Sequence, residues 1–189
     1  FLSIDDLWPG INLSVRLKIL LSLGIVVFMM GIVNAMTIVR VLQYNRQYDT
    51  IITNITTANS INGYIKPAID TEMWNIVAGK VEFEKGNQYE IIDNANGQIQ
   101  WMMKNTDSDK AKIQLEILLR TMETLTNYVN LMGEQIQQDS KVAENMEVLE
   151  NIRGVSDLID DLVQEYMLFE VQQAEQQYQE MQQSFIQWT

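Results

Sequence analysis

The sequence has 189 residues and a formal net charge of −12, and it contains neither cysteine nor histidine. The absence of cysteine excludes disulfides and thiolate metal sites, and the absence of histidine removes the commonest general base and transition-metal ligand. The acidic balance argues against a nucleic-acid partner, because no basic surface is present to neutralise phosphates. Two prolines and nine scattered glycines are typical of a helical protein.

The first predicted element is an apolar helix over residues 19–39, between Lys18 and Arg40, in which no side chain is charged. A helix rises about 1.5 Å per residue, so this stretch covers roughly 30 Å, the thickness of a bilayer's hydrocarbon core. The alternatives are a buried core helix and a cleaved signal peptide. The run is long and uncharged for a core helix, and no small-residue cleavage site follows it. We therefore predict a retained transmembrane helix.

The orientation of this helix follows from the far end of the chain. Two basic residues lie close to each end of the apolar stretch, so the positive-inside rule gives no preference there. Residues 154–189 contain no lysine or arginine but seven acidic residues, which makes them a poor cytoplasmic flank for a second membrane span. We predict a cytoplasmic segment at 1–18 and an extracytoplasmic domain at 40–189, in the cell membrane.

Helical periodicity continues after the membrane segment. The predicted apolar face of this first helix consists of Tyr48, Ile51, Ile55, Ala58, Asn62, Ile65 and Ile69. Asn62 is polar, and a polar residue at such a position can fix the register of packed helices. Asn62-Gly63 and Pro67 are predicted to kink or end this helix.

Three more helical stretches follow. The second is irregular, with interruptions at Gly79 and Gly86, and its apolar residues are Met73, Trp74, Ile76, Val77, Tyr89, Ile92, Ile99 and Met103. A turn over 104–109 then offers Asp107 or Ser108 as the next N-cap. The third helix has the apolar face Ala111, Leu115, Leu118, Met122, Leu125, Val129, Met132 and Ile136, and the fourth has Val148, Ile152, Val155, Ile159, Leu162, Tyr166 and Phe169.

The fold class predicted from these stretches is all-α. The N-terminal transmembrane helix continues into an antiparallel up-down-up-down four-helix bundle, because four helical stretches are joined by short turns. After Phe169 the pattern slips by one residue at Gln173, and we expect the glutamine-rich tail over 172–187 to be a solvated, frayed helix.

No catalytic signature is present, so we predict no enzyme activity for this segment, no cofactor and no metal. Asp160, Asp161 and Glu165 could hold a hard cation such as Ca²⁺, but a solvated helix face is the favoured interpretation. The eleven methionines are interpreted as core filling. Trp74, Tyr89 and Trp101 are candidate ligand-binding residues, although aromatic residues at helical spacing usually pack in a core.

Three stretches resemble a known family. They are SVRLKILL at the start of the apolar helix, YDTIITNITTANSINGYIKPAIDTEMWNIVAGK at Tyr48–Lys80, and FEKGNQYEIID at Phe83–Asp93. The chain resembles, over most of 13–189, the N-terminal sensor region of YesM-type membrane sensor histidine kinases of Gram-positive bacteria. The resemblance implies a second transmembrane helix, a HAMP-type linker, a histidine-bearing dimerisation region and a kinase domain after Thr189. A start at Phe1 without methionine also leads us to expect a piece of a larger protein.

The function that we expect is therefore extracytoplasmic signal sensing by a homodimer in a lipid bilayer, with an unidentified extracellular ligand or partner protein. A shift of the first helix against the fourth would pass the signal through the membrane, with Asn62 and Pro67 in the adaptable part of the domain. Two alternatives remain open: the ligand-binding domain of a methyl-accepting chemotaxis receptor, and a membrane-tethered structural helical protein. The sequence after Thr189 would separate them.

Overall fold

The computed structural model describes residues 14–186, except for the side chains of residues 184 and 185. The described residues form five α-helices and one short 3₁₀ helix, and they contain no β-strand. The elements are α1 (Val15–Ile61), α2 (Ile65–Val77), the 3₁₀ helix (Phe83–Lys85), α3 (Gln88–Asn105), α4 (Asp109–Gln137) and α5 (Val142–Ile186). The prediction of an all-α fold is confirmed.

The chain divides into two compact units, Phe1–Arg46 and Gln47–Thr189. In the first unit, the apolar side chains of α1 are exposed along the whole of the uncharged stretch, as at Phe28 and Met29. Among the described residues, one helix is long and apolar enough to cross a membrane, and it contains this stretch. Such exposure is expected of a helix whose solvent is lipid.

The second unit is a helical bundle. Helix α2 packs against α3 and α5, and α4 packs against the same two helices. Helices α2 and α5 run antiparallel, since Lys66 pairs with Asp157 while Asp70 pairs with Arg153. A bundle of four packed helices is thus present, while the up-and-down order of all four stays a prediction.

The apolar face of α4 agrees closely with its prediction. Its buried residues are Ala111, Leu115, Leu118, Met122, Leu125, Val129, Met132 and Gly133, whereas Ile136 is half-buried. The 3₁₀ helix lies over Gly133, because a Cβ atom there would stand 2.5 Å from Cε1 of Phe83. At the start of the helix, Ser108 is the N-cap, and its hydroxyl accepts a hydrogen bond from the Ala111 amide.

The first predicted helix ends close to where the sequence indicates. Helix α1 stops at Ile61, and the turn that follows contains Gly63 at a φ of +71°. Asn62 therefore lies in this turn, and its expected place on the face of a continuous helix is wrong. Pro67 neither kinks nor ends a helix, because it lies in the first turn of α2, where a missing amide hydrogen is tolerated.

The irregular second stretch is two helices rather than one. Helix α2 ends in a Schellman motif, in which Lys80 N–H donates to Asn75 O and Gly79 N–H donates to Ile76 O. Gly79 supplies the left-handed residue that this motif needs, at a φ of +71°. The 3₁₀ helix then leads into α3, whose buried residues are Gln88, Ile91, Ile92, Ala95, Ile99 and Met102.

Candidate functional site

Three buried polar residues meet between α1 and α5. Asn54 is 0% exposed, Tyr166 is 1% exposed and Glu170 is 2% exposed. The Tyr166 hydroxyl donates a hydrogen bond of 2.7 Å to Oε1 of Glu170. A buried polar group destabilises a fold unless it has a partner. This cluster is therefore the best candidate for a functional site.

The helical repeat places these residues inside the bundle. Asn54 lies between Ile51 and Ala58 on the buried face of α1, at the spacing of three and four residues that defines one side of a helix. Glu170 follows Tyr166 by four residues, one turn along the buried face of α5. Asn54 and Glu170 therefore both face the interior of the bundle.

Burial sets the electrostatics of the cluster. It raises the pKa of Glu170, and the hydrogen bond from Tyr166 and the nearby amide of Asn54 only partly offset this effect. Burial likewise raises the pKa of Tyr166, and the adjacent Glu170 raises it further. Asn54 is close enough to favour the charged forms of both groups, yet neither of its amide atoms reaches hydrogen-bond geometry with any described residue.

A small cavity of about 60 Å³ adjoins this cluster. It is partly open to solvent and lies between α1, the α3–α4 turn and α5, and its lining residues are Gln47, Thr50, Ile51, Asn54, Thr106, Asp107, Ser108, Glu170, Gln173 and Gln177. The turn's hydroxyl groups already have partners, since Thr106 Oγ1 accepts from Ser108 N–H and the Ser108 hydroxyl caps α4. Gln177 Oε1 is buried without a hydrogen bond from any described residue.

The aromatic residues that the sequence singled out occupy different surroundings. Trp101 lines an open groove together with Thr53, Thr57, Asp93, Asn94, Gly97 and Gln98. Tyr89 lies outside that groove; its hydroxyl donates to Asn130 Oδ1 of α4, and its ring packs edge-on against Phe83 with centroids 6.1 Å apart. Trp74 is also absent from the groove lining and is 43% exposed. Ligand binding by these three residues stays a prediction.

The two residues assigned to the adaptable part lie near the start of α2. Asn62 Oδ1 accepts a weak hydrogen bond of 3.5 Å from Gln164 of α5. Pro67 is exposed. The neighbouring Gly63 amide donates to Asp160 Oδ1 at 3.2 Å, so this carboxylate has a structural partner. Among the described residues, no three histidine, cysteine or acidic side chains are grouped to hold a metal ion.

Sequence reasoning missed Asn54 and Glu170. The face predicted for the first helix includes Ile55 instead of Asn54, and Ile55 is half-buried. A signal for both was available in the spacing. Asn54 is three residues after Ile51, and Glu170 is four after Tyr166, so each continues a face that apolar residues define.

Comparison of the chain with protein-family models, with curated proteins and with solved structures finds no match. We therefore infer its function from its own residues.

Proposed function

We propose that this chain is the membrane anchor and extracytoplasmic sensing domain of a bacterial sensor histidine kinase of the YesM type, acting as a homodimer. The kinase type rests on the family resemblance of the sequence, and one structural observation carries the sensing role. Helix α1 contains both the exposed apolar stretch over 19–39 and the residues Ile51, Asn54, Ala58 and Ile61, which are buried in the bundle. A change in bundle packing would thus act on the same helix that crosses the membrane.

The contacts with α5 suit a helix shift as the signal. The polar pairs between the α1–α2 region and α5 are exposed or half-exposed: Lys66 with Asp157, Arg153 with Asp70, and the Gly63 amide with Asp160. Exposed ion pairs contribute about 0–1 kcal/mol each. Exchanging such partners therefore changes little free energy, and a small sliding of α5 is compatible with a preserved core.

Autophosphorylation tests the proposed kinase output. Membranes that contain the full-length protein are incubated with γ-³²P-labelled ATP, and the labelled protein is divided between acid and alkali. A histidine kinase yields an acid-labile, alkali-stable phosphate, and proteolysis maps it outside residues 1–189, which contain no histidine. A protein without such label would contradict the proposal.

A parallel labelling with the methyl donor S-adenosylmethionine separates the chemotaxis alternative. A methyl-accepting receptor acquires alkali-labile glutamyl methyl esters and no phosphohistidine. A membrane-tethered structural protein acquires neither label. Either result would contradict the kinase assignment. The description of the helical bundle does not depend on it.

A further inference from the structure

Two buried side-chain oxygens without a donor line the cavity between α1, α5 and the α3–α4 turn, and none of its described lining residues carries a positive charge. Oδ1 of Asn54 and Oε1 of Gln177 are buried, and no described residue donates to either. The carboxylate of Glu170 lines the same space. Because an unpaired buried acceptor destabilises a fold, these three oxygen-bearing groups together favour an occupant that supplies positive charge or protons.

The two charged residues that line the cavity are both acidic. Helix α5 contributes Glu170 and the α3–α4 turn contributes Asp107, whereas α1 contributes no charged residue; no described lining residue is basic. Asp107 is exposed and Glu170 is buried. A buried carboxyl group that faces no cationic side chain is either protonated or paired with a bound positive ion.

Size limits the occupant. The volume of about 60 Å³ exceeds the roughly 10–15 Å³ that a cavity needs to hold one water molecule. One small ion with water ligands therefore fits. Ca²⁺ prefers six to eight oxygen ligands with several carboxylates, and the described residues group no three acidic side chains around a point.

We propose that this cavity binds one small monovalent cation, of the class of Na⁺, K⁺ and NH₄⁺, through side-chain oxygens of Asn54, Glu170 and Gln177. The amide nitrogen of Asn54 then has a water ligand of the ion as its acceptor. Binding displaces the proton of Glu170, so occupancy rises with pH. The ion joins α1 to α5, and, if the proposed sensing function holds, it is a stimulus or a structural requirement for the helix shift.

Thermal unfolding of the detergent-solubilised full chain tests this site. The midpoint Tm is measured at constant ionic strength in choline chloride, NaCl, KCl and NH₄Cl, at pH 5 and pH 8. Choline is too large for the cavity and serves as the reference cation. Binding to the folded state alone raises Tm, and we expect a rise of roughly 5 °C in at least one of the three salts, larger at pH 8 than at pH 5.

Two variants separate the site from general salt effects. Glu170→Gln keeps the shape of the side chain and removes its charge, so it should abolish the cation-dependent rise. Glu165→Gln removes the same charge from an exposed position on α5, and it should keep the rise. Should Glu170→Gln fail to fold, Asn54→Ser removes a ligand and should reduce the rise.

Equal Tm values in all four salts for the unaltered chain would overturn the proposal and leave water as the only occupant. A rise that persists unchanged in Glu170→Gln would also overturn it, since a non-specific salt effect would then explain the result. These measurements involve no phosphate transfer, so their failure leaves the proposed kinase output untouched, and a failed kinase assay leaves the cation site untouched.

Discussion

The Tyr166 hydroxyl donates its hydrogen bond to Oε1 of Glu170 at 2.7 Å, and both residues are buried on the inner face of α5. This relationship couples a carboxylate to the packing of the bundle. The hydrogen bond favours the charged carboxylate while burial disfavours it, and burial is the larger effect. Glu170 is thus a buried acid whose ionisation state depends on what adjoins it.

Removing the hydroxyl at position 166 should destabilise the fold. Tyr166→Phe leaves the Glu170 oxygen without its donor, and an interaction of this kind contributes about 1–3 kcal/mol. We expect Tm to fall by roughly 2–10 °C in thermal unfolding followed by circular dichroism. Tyr178→Phe is the matched control, because Tyr178 is exposed on the same helix. Equal effects of the two changes would remove the structural role assigned to the buried pair.

Stability should depend on pH through Glu170. Its pKa is raised in the folded state, so in the window between its unfolded and folded pKa the folded chain binds more protons than the unfolded chain. Stability then falls as pH rises through that window. Glu170→Gln removes this dependence, so in choline chloride we expect it to gain Tm relative to the unaltered chain as the pH rises from 4 to 8.

Glu165→Gln again provides the comparison for that series, because its carboxyl is exposed. We expect Glu170→Gln to gain more Tm over this pH series than Glu165→Gln does. A pH profile of Glu170→Gln that runs parallel to that of the unaltered chain would contradict a raised pKa at position 170.

The core of α4 should be sensitive at single positions. Leu118 is buried in the centre of the bundle, whereas its neighbour Ile117 is 46% exposed. Leu118→Ala leaves a cavity and should lower the free energy of unfolding by about 2–5 kcal/mol. Ile117→Ala should lower it by less than about 1 kcal/mol. Chemical denaturation measures both, and a reversed order would mean that α4 packs through another face.

The end of α4 offers a stabilising change. Asp139 adopts a φ of +52° and is the left-handed residue of a Schellman motif, in which Ser140 N–H donates to Gln135 O and Asp139 N–H donates to Ile136 O. Asp139→Gly relieves that conformation and removes a negative charge from a helix C-terminus, so we expect a gain of about 0.5–1 kcal/mol.

Gln138→Gly tests whether position 139 is special. Gln138 precedes it with a φ of −89°, where glycine offers no conformational advantage. We expect no gain in Tm from Gln138→Gly and a rise of a few degrees from Asp139→Gly. A loss of stability in Asp139→Gly would show that the aspartate side chain makes a contact that outweighs its backbone strain.

Much of the bundle was predictable because its apolar faces are regular. In α4 every predicted position from Ala111 to Met132 is buried, since an uninterrupted spacing of four and three admits one helical face only. In α3 the prediction was wrong at Tyr89, which is 39% exposed. The buried face of α3 includes Ala95 and Met102. Alanine is only weakly apolar, so it is a poor marker of a buried helix face.

The candidate site was less predictable for a physical reason. Pattern analysis assigns asparagine and glutamate to the surface, because burying either is usually unfavourable. Asn54 lies on α1 and Glu170 lies on α5, and these two helices meet only in the folded chain. The sequence fixes neither their distance nor the cavity beside them, so polar residues on a buried face have to be judged from the packed structure.

The most direct test of a membrane-anchored external domain is side-chain accessibility in intact cells. The chain has no cysteine, so Ser14→Cys, before α1, and Gln138→Cys, between α4 and α5, can be labelled singly with a membrane-impermeant maleimide. Both positions are exposed. We predict labelling at position 138, and none at position 14 until the cells are permeabilised. Labelling at 14 alone would put the bundle in the cytoplasm, and labelling at neither or both would contradict a single crossing by α1.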